Sequence, residues 1–164
     1  MQITFTVPGV PIAQPRPRAT MAHGGKHARI HEVTHVKDAT TGERRPHPIA
    51  AFKATVRLAC EQVYRDAPLT GPLAAHCVFI FPRSRSLIWR KKPMPRIPRQ
   101  GKPDADNLLK SLCDALNGLL WVDDSQIVRV IVEKWIAAGD EQPRCDMVVE
   151  PFVLAGGLVA WEAR

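Results

Sequence analysis

The chain has 164 residues, 45% of them hydrophobic, with a formal net charge of +7 at neutral pH and a sequence isoelectric point near 9.6. That length supports one hydrophobic core rather than two, and no stretch approaches the roughly 18 consecutive apolar residues of a membrane helix. Met1 to Val7 reads as an alternating strand rather than a secretion signal, so a single cytoplasmic domain over residues 1–164 is expected. Cys60, Cys77, Cys113 and Cys145 lie far apart with no Cys-x-x-Cys pair, which implies neither a disulfide framework nor a zinc knuckle.

Charge is unevenly divided. Residues 1–103 carry 18 Lys and Arg against 5 acids, a balance of +13, while residues 104–164 carry 5 against 11, a balance of −6. A basic body attracts polyanions, of which nucleic acid is the commonest. A merely soluble basic surface accounts for the charge equally well.

Gln2 to Val7 alternates Ile3, Phe5 and Val7 with polar partners, the period of a half-buried strand. Four prolines between Pro8 and Arg18 forbid regular helix and predict an extended basic arm ending in Pro15-Arg16-Pro17-Arg18. A weaker strand or hairpin is expected around Ala28–Ile30, and a turn at Thr40-Thr41-Gly42. Ile49, Phe52, Val56, Ala59, Cys60 and Val63 recur at spacings of three and four, predicting an amphipathic helix over 49–65, stopped by Pro68 and Gly71-Pro72. Leu73 to Phe81 is a buried strand by its β-branched and apolar density. Residues 82–103 then hold five prolines and eight basic residues with no acid, a long irregular basic loop of the kind that is usually functional.

Ala105 to Asn117 is the clearest helix. Asp106, Asn107, Lys110, Ser111, Asp114 and Asn117 fall within an arc of roughly 140°, with the leucines opposite. Strands follow over 126–137 and 145–153, and the tail 154–164 has no clear element. The order predicts an α+β domain in which two main helices pack against one mixed sheet.

The acids cluster where the basic loop becomes a helix, at Asp104 and Asp106, and again at Asp123-Asp124 before the next strand. A helical return is expected to bring these pairs together. Crowded carboxylates repel unless a cation or a proton intervenes, and an all-oxygen set selects hard Mg²⁺ or Mn²⁺ over zinc. Each element also has a plain structural explanation. Asp104 is placed as a helix N-cap, Asp123-Asp124 as a turn, Lys110 with Asp106 as an ordinary surface ion pair, and Asp114 as one more residue of a charged solvent face. Their conjunction beside an acid-free loop of eight cations favours chemistry on a phosphate.

The run Lys102-Pro103-Asp104-x-Asp106-Asn107-Leu108-x-Lys110, then Asp114-Ala115-Leu116-Asn117, then Trp121-x-Asp123-Asp124-x-Gln126-Ile127 resembles the signature of the RusA family of Holliday-junction resolvases. Pro8-Gly9-x-Pro11, Pro15-Arg16-Pro17-Arg18 and Pro82 with its basic continuation match as well, so the likeness extends over most of residues 1–150. The resemblance implies homodimeric, Mg²⁺-dependent endodeoxyribonucleases, many encoded by phages or prophages, that nick two opposed strands of a four-way junction, with Mn²⁺ able to substitute. By motif position, it implies metal ligands Asp104, Asp106 and Asp124, with Asp123 as an alternative or additional ligand. It also implies Lys110 as the catalytic lysine and Asn107 as a supporting hydrogen-bonding residue. Trp121 matches with a packing role. The longer segment from His23 to Arg45, the longer basic loop and the tail depart from the smaller family members.

Arg16, Arg18, Arg83, Arg85, Arg90, Lys91, Lys92, Arg96, Arg99 and Lys102 are the expected phosphate contacts, which position a substrate without reading its bases. Trp89 is placed either as a base-stacking residue or as a packing anchor. His23, His27, His31 and His35 recur every four residues, but Gly24-Gly25 argues against the helix that would make them a metal-binding face. A flap- or fork-cutting nuclease shares all of these features. A non-catalytic branched-DNA-binding protein is expected to have a broken carboxylate set.

Overall fold

The alternation at the N-terminus becomes strand β1, Ile3–Pro8, with Ile3, Phe5 and Val7 buried and the residues between them exposed. In the computed structural model of the protein, which describes residues 1–21, 28–31, 33–89 and 91–153, the arm leads into two short hairpins. β2 (Arg18–Met21) pairs with β3 (Ala28–His31), and β4 (His35–Lys37) with β5 (Arg44–Pro46), the latter closing through the expected Thr40–Gly42 turn. His31 and His35 therefore lie on strands rather than on one helical face, while His23 and His27 fall outside the described residues.

Helix α1 (Ile49–Val63) buries Phe52, Val56, Ala59 and Cys60 of the expected stripe, with Ile49 partly buried, whereas Val63 at its last position is exposed. The remaining elements are β6 (Leu73–Phe81), β7 (Ile97–Pro98), α2 (Ala105–Leu116), β8 (Ile127–Ile136) and β9 (Arg144–Pro151). Five strands form one mixed sheet in the order β1-β9-β6-β8-β7. The central strand β6 runs antiparallel to β9, with Cys77 opposite Met147, and parallel to β8, with Cys77 opposite Val132. Two parallel neighbours require a crossover connection. Here it consists of the basic loop, α2 and the turn carrying Asp123-Asp124, so all the singled-out acids belong to one connection.

Both helices share a core with one sheet face, where Phe5, Val7, Leu73, Cys77, Phe79, Met147 and Val149 meet Leu108, Leu112, Leu116 and Trp121. Alternate sheet residues form the opposite face. Pairs such as His76–Glu133 at 2.9 Å, Arg129–Glu150 at 3.6 Å and Thr6–Asp146 at 2.8 Å cross its strands. All four cysteines are buried thiols. Among the described residues no helix is long and apolar enough to cross a membrane. Residues 154–164 and Arg90 lie outside the described residues.

The basic loop is more ordered than its composition predicts. It contains a 3₁₀ turn at Arg85–Leu87, and β7 pairs with Trp135 and Ile136 at the sheet edge. Arg83 donates to the carbonyls of Ala137 (2.8 Å), Leu87 (3.2 Å) and Pro95. Arg96 is bound by Glu141, and Arg99 stacks on the Phe81 ring and donates to the Lys102 carbonyl. Proline removes backbone donors, and these arginines supply the missing hydrogen bonds from side chains.

Glu141 is the anchor of this arrangement. It accepts from Arg96, from the Ala138 N–H at 3.0 Å and from Arg144 at 3.0 Å. The Arg96 hydrogen bond first, with the Ala138 and Arg144 contacts behind it, lowers its carboxyl from an ordinary 4.5 to about 2. A depressed carboxylate stabilises the fold above its unfolded pKa and loses that contribution as pH falls through the folded value. E141Q is therefore expected to lower stability by about 1–2 kcal/mol at neutral pH. The difference from wild type should shrink as pH falls from 4.5 towards 2. Thermal unfolding of both proteins across that range checks this; equal stability at neutral pH would show that Glu141 anchors nothing.

Candidate active site

Chain geometry places Asp104 and Asp106 at the start of α2, facing the basic arm. The loop enters α2 through Pro103, and Lys134 on β8 donates to the carbonyls of Gly101 and Pro103 at 2.8 Å each, fixing where the helix begins. Asp104 takes the N-cap position in extended conformation, but its side chain makes no capping hydrogen bond. An N-cap aspartate normally accepts from the N–H groups of the first turn. The Asp104 carboxylate instead faces Arg16 of the arm, 3.5 Å away, and Asp106 approaches the same guanidinium at 3.9 Å.

The arm is held in this place by its backbone: Gln14 N–H donates to the Asn107 carbonyl at 2.9 Å. Asn107 also lines a cleft, and it is its backbone carbonyl that accepts this bond. The cleft, about 780 Å³, lies between the arm, α1 and α2 and includes Gln14, Arg16, Lys53, Lys110, Asp114 and Asn117 in its walls. Gln14 Oε1 is buried and has no hydrogen-bond partner among the described residues.

Lys110 stands one turn beyond Asp106, 60% exposed, with its ammonium 3.6 Å from one oxygen of Asp114. The other oxygen of Asp114 accepts from Lys53 at 3.1 Å. Asp114 thus links α1 to α2 and holds Lys110 at the cleft wall. Lys53, half-buried and the one lysine of α1, is a cleft residue that the sequence does not disclose, because its partner lies on a distant helix and no local pattern marks the pairing.

The two members of Asp123-Asp124 separate in role. Asp123 caps a 3₁₀ turn, Asp124–Gln126, accepting from Ser125 N–H at 3.0 Å. Gln126 closes the box on the N–H groups of Val122 and Asp123, at 2.9 and 3.0 Å. The side-chain and backbone hydrogen bonds from Ser125 hold the Asp123 carboxyl below its ordinary value. Asp124 has no such commitment, and its charge reaches the Cys113 thiol. Burial first, then Asp124 and Asp114, push that thiol up to about 12 against the opposing charge of Lys110.

The structure brings Asp104 and Asp106 together but does not gather the expected three or four carboxylates. Among the described residues no three Asp, Glu, His or Cys side chains form a metal-holding group. Lys110 lies on α2 between Asp106 and Asp114. Of the expected phosphate contacts, Arg83, Arg96 and Arg99 are engaged within the loop, and Arg16 with the carboxylate pair. Arg85, Lys91, Lys92 and Lys102 are solvent-exposed. The side chain of Arg18 lies outside the described residues, as does Arg90. Trp89 is 40% exposed, with the Arg83 guanidinium 5.8 Å from its ring centre.

An acidic pair and a lysine one turn on, carried by a crossover connection beside a cation-lined cleft, suit phosphodiester substrates. The chain belongs to the endodeoxyribonuclease RusA family, which it matches over residues 8–150. It is also similar to the uncharacterized protein YqaN of Bacillus subtilis (strain 168), at 32% identity over 152 residues, covering 90% of this chain and 94% of that one.

Proposed function

We infer that the protein is a Mg²⁺-dependent, structure-specific endodeoxyribonuclease that resolves four-way DNA junctions by paired phosphodiester hydrolysis, with Mn²⁺ as a substitute. Family membership supports the activity class. The observation that carries the site is the Asp104 carboxylate, which makes no capping hydrogen bond to its own helix and lies with Asp106 around the Arg16 guanidinium.

The residues suit a hard divalent cation: the donors are carboxylate oxygens with no thiolate or imidazole among them, and Gln14, which lines a recess together with Asp104, leaves a buried amide oxygen unpartnered among the described residues. Asp104, Asp106 and Asp124 would hold the ion, with Asp123 retained for its cap. When bound, such an ion polarises the scissile phosphate and makes water a stronger acid. Lys110 faces the reacting phosphate and stabilises the negative charge that develops there. Asp114 and Lys53 fix where the Lys110 ammonium stands. Arg85, Lys91, Lys92 and Lys102 hold the flanking backbone as point charges, which makes binding salt-dependent. A homodimer matches the two equivalent strands of a junction.

A substrate panel tests this reading. A four-way junction, a 5′ flap and a plain duplex of matched sequence are incubated with protein and Mg²⁺. Cleavage of the junction alone is expected. Preferential flap cutting would assign the same site to a different structure-specific nuclease, and binding without cutting would indicate a branched-DNA-binding protein.

A further inference from the structure

The Pro15-Arg16-Pro17 motif places a cation where the metal reading needs one to be exchangeable. Proline fixes φ at residues 15 and 17, and each restricts the residue before it to extended backbone. The Gln14–Asn107 backbone hydrogen bond, 2.9 Å, pins this stiff segment to the first turn of α2. Arg16 is therefore presented on a fixed backbone, and only its side chain has freedom to move.

That side chain is in weak contact with the carboxylates. Its guanidinium is 3.5 Å from Asp104 and 3.9 Å from Asp106, and it is 72% exposed. Exposed ion pairs of this length are screened by water and are not the short bidentate forks that arginine makes where it binds firmly. An arginine in this arrangement offsets the repulsion between the two carboxylates and exchanges readily.

We propose that Arg16 is an exchangeable counter-ion of the Asp104–Asp106 pair: it neutralises the pair before a divalent cation binds, and on exchange its guanidinium is released towards the substrate phosphate. This rests on the reading that the pair ligates the metal. It makes Arg16 a competitor of the metal as well as a DNA contact, and it couples loading of the site to release of a phosphate-binding group. The rigid arm serves that coupling, since a guanidinium on a fixed backbone stays within reach of both the carboxylates and a phosphate beside them.

Calorimetric titration with Mn²⁺, without DNA, tests the proposal on the wild-type chain, R16Q, R16K and D106N. R16Q should bind Mn²⁺ more tightly, by roughly three- to fivefold, the size expected for removing an exposed competing charge. R16K retains the charge and should stay closer to wild type. D106N should lose most of the binding. Unchanged or weaker binding in R16Q, with D106N still defective, would overturn the counter-ion role while leaving the metal site in place. Binding by D106N equal to that of wild type would instead overturn the metal reading, and the proposal with it.

Discussion

Asp106→Asn is expected to lower junction cleavage by at least about 10²-fold, the scale seen when a group that stabilises a charged transition state is removed, while junction binding is kept or tightened. The side chain is exposed, in the first turn of α2 beside Arg16, so the change removes a charge without opening a cavity. Losing one negative charge beside the site also reduces repulsion of phosphate. Asp124→Asn should behave in the same way. Asp123→Asn provides the contrast, because asparagine caps a helix about as well as aspartate and the Asp123 carboxylate is held by Ser125 N–H. Its cleavage should remain within a few-fold of wild type. Parallel cleavage and gel-shift assays of the three variants decide the matter; robust cutting by Asp106→Asn would remove the carboxylate pair from the mechanism.

Trp121→Ala should be the most damaging change to the fold. Trp121 is fully buried, its Nε1 donates to Asn117 Oδ1 at 2.6 Å, and its carbonyl accepts from Gly118 N–H at 2.8 Å. It ties the end of α2 to the segment that carries Asp123-Asp124, and it bridges to Leu69 in front of β6. Truncation leaves a large cavity and an amide oxygen without its donor, for a loss of about 3–5 kcal/mol. In a chain of this size that corresponds to a fall of roughly 10 °C or more in Tm. Trp121→Phe keeps most of the volume and should lose less. Urea and thermal unfolding measure both; a loss under about 1 kcal/mol for Trp121→Ala would mean that the cavity collapses or fills.

Periodicity made the main elements legible. β6 begins and ends where its apolar run does, and α1 and α2 start at the predicted residues and end within two positions of the predicted ends, because burial against a sheet imposes spacing on the chain itself. The order of elements predicted a mixed sheet with two helices, and both are present. Long-range contacts were not legible. Lys53 meets Asp114 across 61 residues, and no local pattern marks it. Arg83, Arg96 and Arg99 read as generic positive charge, whereas their partners are backbone carbonyls, an aromatic ring and Glu141, all set by how the loop folds back. The motif did contain a clue to the Asp123 cap: Asp123 and Gln126 stand three apart, the spacing of a capping box. What it could not convey is that Asp104 and Asp106 pair while, among the described residues, no third carboxylate, thiol or imidazole completes a metal-holding group with them.

The most direct test is strand-by-strand mapping of cuts in an end-labelled synthetic four-way junction, with Mg²⁺ and with chelator. Symmetrically placed nicks in two opposed strands, present with Mg²⁺ and absent with chelator, are predicted. Cutting that persists in chelator, or nicks confined to one strand, would contradict a metal-dependent resolvase acting on paired strands.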